Sequence, residues 1–166
     1  MSKTAGQLIV IDGIDGSGKA TQAKLLANRI KKAGRQAASF DFPQYRQNFF
    51  GQMVGEYLRG QFGPAVKINP YLASVLYAAD RWETKKKIIN KLNQGCIVVL
   101  DRYTSANQIH QASKIKNLQE QNKYLEWLEQ MEYEIFKIPR PALVLFLYLP
   151  IDLVCDLIKN RSRQPD

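Results

Sequence analysis

Gly13-Ile14-Asp15-Gly16-Ser17-Gly18-Lys19 constrains this chain more than any other segment. It follows the short aliphatic run Leu8–Ile11 and precedes Leu25, Leu26 and Ile30, which recur with helical spacing until Gly34. A strand that passes through GxxxxGK into a helix brings backbone N–H groups together at a helix N-terminus, where the macrodipole also favours an anion. Residues Gly13 through Lys19, with Ala20 and Thr21 in the first helical turn, are therefore expected to cradle nucleotide phosphates, with Lys19 as a movable positive charge. Ala20 stands where a Ser or Thr hydroxyl would ligate Mg²⁺, and Thr21 lies about 100° further round the helix. A metal is then expected to rest on waters and carboxylates, for which Asp15 and Asp101 are the candidates.

The rest of the chain alternates strand and helix patterns. Ala37–Phe42 reads as a strand ended by Pro43, 49–59 as a helix, and 70–93 as a long helix opened by Pro70 and stopped near Gly95. Cys96–Leu100 is uniformly apolar and rich in β-branched residues, the pattern of a strand buried on both faces. A helix or helix pair is expected over 105–136, with Leu125, Leu128, Met131, Ile135 and Phe136 inward and Glu126, Glu129 and Glu132 outward, broken by Pro139 and Pro141. Ala142–Leu149 reads as another strongly buried strand, and Pro150 opens a final helix bearing Leu153, Val154, Leu157 and Ile158. Such alternation predicts an α/β fold, a parallel β-sheet flanked by helices, with ligands at the C-terminal ends of the strands. At 166 residues one domain over 1–166 is expected.

Composition narrows the partners. Twenty-four Lys and Arg against 15 acids give a net charge of +9, which suits nucleic acid, acidic lipid or phosphorylated small molecules, and the sign alone does not choose among them. Aromatics do not interleave with the basic residues, so nucleic acid is not the expected partner. The longest apolar run, Ala142–Leu149, falls well short of the roughly 20 residues that cross a bilayer. With no signal-peptide core at the start, a cytoplasmic protein without membrane association is expected. Cys96 and Cys155 lie far apart in apolar runs and read as buried free thiols, and a single histidine excludes a multi-His zinc site.

Four ordered motifs resemble the thymidylate kinase family, over essentially the whole chain. They are Ile11–Lys19; Phe42-Pro43-Gln44-Tyr45; Leu76-Tyr77-Ala78-Ala79-Asp80-Arg81-Trp82-Glu83; and Asp101-Arg102-Tyr103 with Asn107, His110 and Gln111. The resemblance implies a P-loop NTP hydrolase/kinase fold that moves the γ-phosphoryl of ATP to dTMP, a step in deoxynucleotide biosynthesis. It places Asp15 on the acceptor's 3′-hydroxyl, and Phe42, Pro43 and Tyr45 against its phosphate and sugar. Tyr77 falls on the thymine ring, Arg81 on the phosphate side, and Asn107, His110 and Gln111 over base and sugar. Arg102 would bridge the two phosphates, a bidentate task lysine cannot copy, and Asp101 would hold Mg²⁺. His110 stands where many members carry Tyr, which leaves discrimination against a 2′-hydroxyl open. Gly16 occupies a position where one subgroup has arginine, which makes Arg161 and Arg163, in the lid, the candidate catalytic arginines. The sequence stops at Asp166 inside that lid, whereas the family continues into a further strand and helix that contact adenine, so a truncated chain or an incomplete donor site is expected. A homodimer is implied by resemblance alone. The alternatives are another nucleoside monophosphate or deoxynucleoside kinase of the same superfold, and a non-catalytic nucleotide-binding or basic nucleic-acid-binding module.

Overall fold

Four apolar segments become strands and pair side by side in a computed structural model that describes residues 5–150, 152–154 and 156–157. They are β1 (Gln7–Gly13), β2 (Ala37–Asp41), β3 (Ile97–Asp101) and β4 (Leu143–Leu147), all parallel, in the order β2-β3-β1-β4. Leu8 pairs with Val98 and Val10 with Leu100, so the two most buried strands lie together in the centre. Alternate side chains feed two cores. Leu8, Val10, Val98 and Leu100 pack with Phe42, Ile88 and Tyr103 on one face; Ile11, Ile97 and Val99 pack with Ala23 and Ala27 on the other. This two-sided burial explains why β1 and β3 read as near-continuous hydrophobic runs.

The helices are α1 (Lys19–Lys32), α2 (Phe49–Leu58), α3 (Pro70–Asn93), α4 (Thr104–Ala112) and α5 (Leu118–Glu129), followed by a π-helix over Gln130–Ile135. Side chains set several starts. Asn48 accepts from the Gly51 N–H at 2.7 Å, Asn69 from Tyr71 at 2.9 Å, and Asn117 from Gln119 and Glu120 at 2.9 and 3.1 Å. Residues 152–154 and 156–157 are helical, and the Val154 N–H donates to the Pro150 carbonyl at 3.1 Å. Cys155, Ile158, Arg161 and Arg163 lie outside the described residues. Among the described residues no helix is long and apolar enough to cross a membrane.

Two expectations are corrected. The 105–136 segment divides into α4, α5 and the π-helix, where the Phe136 N–H reaches back five residues to the Met131 carbonyl at 2.9 Å. That wider turn rotates the following side chains relative to an α-helix. Glu132, expected outward, is 0% exposed, and Ile135, expected inward, is 66% exposed. Ala142–Leu149 was expected to be strongly buried, but β4 carries Val144 at 43% and Phe146 at 47% exposure. It lies at the edge of the sheet, paired to β1 alone among the described residues, so its apolar content does not report burial.

Candidate active site

The loop between β1 and α1 is built by its glycines. A Cβ on Gly13 would sit 2.5 Å from the Leu147 carbonyl oxygen, and Gly18, the N-cap of α1, has φ 82°, a left-handed conformation open to glycine at little cost. No side chain caps α1, so its first-turn N–H groups remain available to an anion. The Lys19 side chain is 7% exposed; its Nζ donates to the Ile14 carbonyl at 2.7 Å and lies 3.7 Å from Asp15. Burial and then the Arg102 charge pull its pKa down, against the opposing pull of Asp15. Ile14, Gly16 and Ser17 complete the turn, and Ala20 and Thr21 are exposed on α1.

The end of β3 supplies the facing wall. Arg102 adopts φ 66°, and its N–H donates to the Ile11 carbonyl at 2.9 Å. A left-handed arginine costs roughly 1–3 kcal/mol, and here it turns the guanidinium from the sheet edge towards the phosphate loop. That guanidinium is ion-paired to the exposed Asp15 and lies 3.3 Å from His110 Nε2. Burial, then Arg102, lowers the His110 pKa, so the imidazole is held neutral beside the arginine. Asp101 has a buried Oδ1 with no hydrogen-bond partner; burial raises its pKa while Lys19 and Arg102 oppose that rise. Among the described residues no three His, Cys, Asp or Glu side chains form a metal cage. A single free carboxylate oxygen at a phosphate loop fits Mg²⁺, which keeps its waters and takes one or two carboxylates plus phosphate oxygens.

Between these walls lies a cleft of about 370 Å³. Asp15, Phe42, Pro43, Tyr45, Tyr77, Arg81, Arg102, Asn107, His110 and Gln111, which the sequence nominates for one ligand, all line it. The Phe42–Pro43 peptide is cis. The Phe42 ring leans on Tyr103 at 5.9 Å, and Tyr77 meets Tyr57 edge-on at 6.0 Å; burial raises the pKa of the Tyr77 hydroxyl. Arg81 does not reach out as a free cation. It is 2% exposed, and its Nε donates to Glu132 Oε2 at 2.7 Å while Nη2 pairs with Oε1.

Several supporting residues were not found from the sequence. Asp80, fully buried, accepts from the Gln44 N–H at 3.1 Å and Asn48 Nδ2 at 2.9 Å, which ties the loop after Pro43 to α3. Burial raises its pKa, and the Asn48 hydrogen bond counters that rise. Ser105 donates to Asp12 Oδ2 at 2.6 Å, and Asp12 Oδ1 accepts from the Gly13 N–H at 2.8 Å, joining α4 to the phosphate loop. Lys114 donates to Tyr57 Oη at 2.9 Å and the Ala65 carbonyl at 2.8 Å at the far end of the cleft. A carboxylate inside the Leu76–Glu83 motif was the one available signal for Asp80; its partners lie more than thirty residues away.

The chain is similar to known thymidylate kinases. A family model described as thymidylate kinase matches residues 11–165. The thymidylate kinase of Schizosaccharomyces pombe is 35% identical over 148 residues, covering 89% of this chain and 63% of the relative. The Homo sapiens thymidylate kinase is 32% identical over 151 residues, covering 91% and 65%. A solved thymidylate kinase from Candida albicans superimposes with a TM-score of 0.71 at 30% identity, covering 91% of this chain and 66% of that one. The chain thus spans just under two thirds of the length of these relatives. A phosphate loop, a left-handed arginine facing it and a match from residue 11 to residue 165 together place this chain in the thymidylate kinase family.

Proposed function

We propose that this chain transfers the γ-phosphoryl of ATP to dTMP, giving ADP and dTDP, and does so with Mg²⁺, in the cytoplasm and as a homodimer. One juxtaposition carries the reading: the phosphate loop and a cleft of monophosphate size meet at Asp15 and Arg102, which are ion-paired across the boundary. An oxygen of the acceptor phosphate attacks the γ-phosphorus in line, and the bond to the β-bridging oxygen breaks. The acceptor phosphate is already an anionic nucleophile, so no general base is needed. Lys19 and Arg102 stabilise the charge gathered on the transferring group, and Asp15 holds the sugar hydroxyl. Asp101, through its unpartnered Oδ1, and waters would hold Mg²⁺, which would supply positive charge against the phosphates. Arg161 and Arg163 are proposed to close over the donor phosphates. Exposed apolar side chains on α2 and α3, Phe49 at 63% and Trp82 at 49%, support the dimer; sedimentation at twice 19.0 kDa tests it.

The test is ADP release from Mg·ATP with dTMP, dUMP, dCMP, AMP and thymidine offered singly. Turnover greatest with dTMP supports the reading. Turnover greatest with another acceptor assigns a different kinase of the same superfold, and none with any acceptor, in a folded sample, overturns transfer by this chain.

A further inference from the structure

Lys114 brings to the cleft a cation that the phosphate chemistry does not use. It lies just past α4, is partly buried, and has no carboxylate partner among the described residues. Its Nζ donates instead to two neutral oxygens, Tyr57 Oη at 2.9 Å and the Ala65 carbonyl at 2.8 Å, and stands 5.7 Å from the centre of the Tyr57 ring. The Tyr57 hydroxyl donates in turn to the same Ala65 carbonyl at 3.0 Å, which closes a triangle of hydrogen bonds. All three residues line the cleft.

That triangle joins three pieces of chain that reach the cleft separately. Lys114 follows α4, Tyr57 belongs to α2, and Ala65 lies in the segment between α2 and α3, where Gly60 and Gly63 turn with φ of 80° and 98°. Tyr57 is 2% exposed, and its ring meets Tyr77 of α3 edge-on at 6.0 Å. Drawing an ammonium partly out of water with no counter-charge costs free energy, which two hydrogen bonds and an aromatic face offset. What the arrangement gives in return is geometry: Lys114 fixes where the Tyr57 hydroxyl sits, and the Tyr57 ring then fixes the edge on which Tyr77 rests.

We propose that Lys114 is a positioning residue for the acceptor nucleotide: through Tyr57 it sets the ring plane of Tyr77, and through Ala65 it holds the segment after α2 as the outer wall of the cleft. Its hydrogen bonds involve neither the phosphate loop nor Arg102, so its effect falls on acceptor binding and not on the donor. This rests on dTMP binding in this cleft against Tyr77, and it is read by binding without turnover so that the two stand apart.

Calorimetric titration with dTMP alone and with ATP alone tests it, on the unaltered chain, Lys114→Met, Lys114→Arg, Tyr57→Phe and the double variant Lys114→Met/Tyr57→Phe. Lys114→Met keeps the apolar stem and removes the donors, and is expected to weaken dTMP binding about tenfold while ATP affinity stays within about twofold. Lys114→Arg, which keeps charge and donors, is expected to recover part of the dTMP affinity. Tyr57→Phe should weaken dTMP about three- to tenfold, and the double variant should lose less than the product of the two single losses, because both remove one shared contact. Unchanged dTMP affinity in Lys114→Met, equal weakening of dTMP and ATP, no recovery in Lys114→Arg, or single losses that multiply in the double variant would each overturn the proposal. An unaltered chain that binds no dTMP overturns the acceptor reading together with it, whereas dTMP binding that is indifferent to Lys114 overturns the proposal alone. If Lys114→Met does not fold, Lys114→Gln, whose shorter polar tip does not span both oxygens, is judged by the same outcomes.

Discussion

Lys19 folds back on the phosphate loop, with its Nζ on the Ile14 carbonyl 2.7 Å away, a bond that a triphosphate would replace. Lys19→Ala removes that charge from the transferring phosphoryl group and is expected to lower kcat by about 10²–10³-fold. Its thermal unfolding midpoint should move by no more than about 3 °C, because the loss of one hydrogen bond and of packing is offset by removal of a desolvated charge facing Arg102. Stopped assays and a melting curve read both; near-normal turnover would remove Lys19 from the mechanism. His110 gives a pH signature, since it is the only histidine in the chain. Its folded pKa lies below the ordinary 6.5, through burial first and Arg102 second. In the window between that lowered pKa and 6.5 the unfolded chain binds more protons than the folded one. Stability contributed by the neutral ring is therefore complete above 6.5 and declines as the pH falls through that window. Urea midpoints at several pH values should show a decline on acidification that His110→Gln reduces; parallel curves for both proteins would refute it. At this scale the sequence identified which side chains meet at the cleft, because motif spacing on strand ends and helix faces is local. It did not reveal that Arg81 is already paired, because its partner lies 51 residues away.

At the scale of elements, α2 packs closely against the loop that precedes it. A Cβ on Gly51 would sit 2.1 Å from the Gln44 carbonyl oxygen and 2.5 Å from Asn48 Oδ1, while one on Gly55 would meet the movable Arg59 Nη1 at 3.2 Å and Tyr45 Cδ1 at 3.4 Å. Gly51→Ala is expected to cost about 2–3 kcal/mol by overpacking and to loosen the loop that carries Phe42, Pro43 and Tyr45. Gly55→Ala should be close to neutral, since a gain of roughly 0.5–1 kcal/mol in helix propensity offsets the crowding. Chemical denaturation of the two variants checks the contrast, and equal losses would contradict it. Element boundaries were legible where a local signal set them: Pro70 at the start of α3, Gly34 and Gly95 at helix ends. The π-helix was not, because apolar spacing between Leu125 and Phe136 fits an α-helix equally well, and Arg81, which Glu132 of this turn meets, lies 51 residues away in the sequence.

Across the whole molecule the net charge of +9 acts on anionic ligands at a distance. Raising ionic strength from about 50 to 300 mM shortens the screening length from roughly 14 to 6 Å. The KM values of both nucleotides should then rise about three- to tenfold, with kcat within about twofold. Initial rates across a salt series test this, and flat KM values would leave the charge without a part in capture. The parallel sheet and the phosphate loop were determined by the sequence itself, because strand patterns alternating with helix patterns pack as a parallel sheet and a helix N-terminus that binds anions needs glycines at fixed spacing. Tertiary structure alone decided that β4 is an edge, that Asp80 anchors the acceptor loop, and that Glu132 turns inward. Each of those depends on which distant surface arrives to cover, pair or neutralise a side chain, and local sequence carries no record of that.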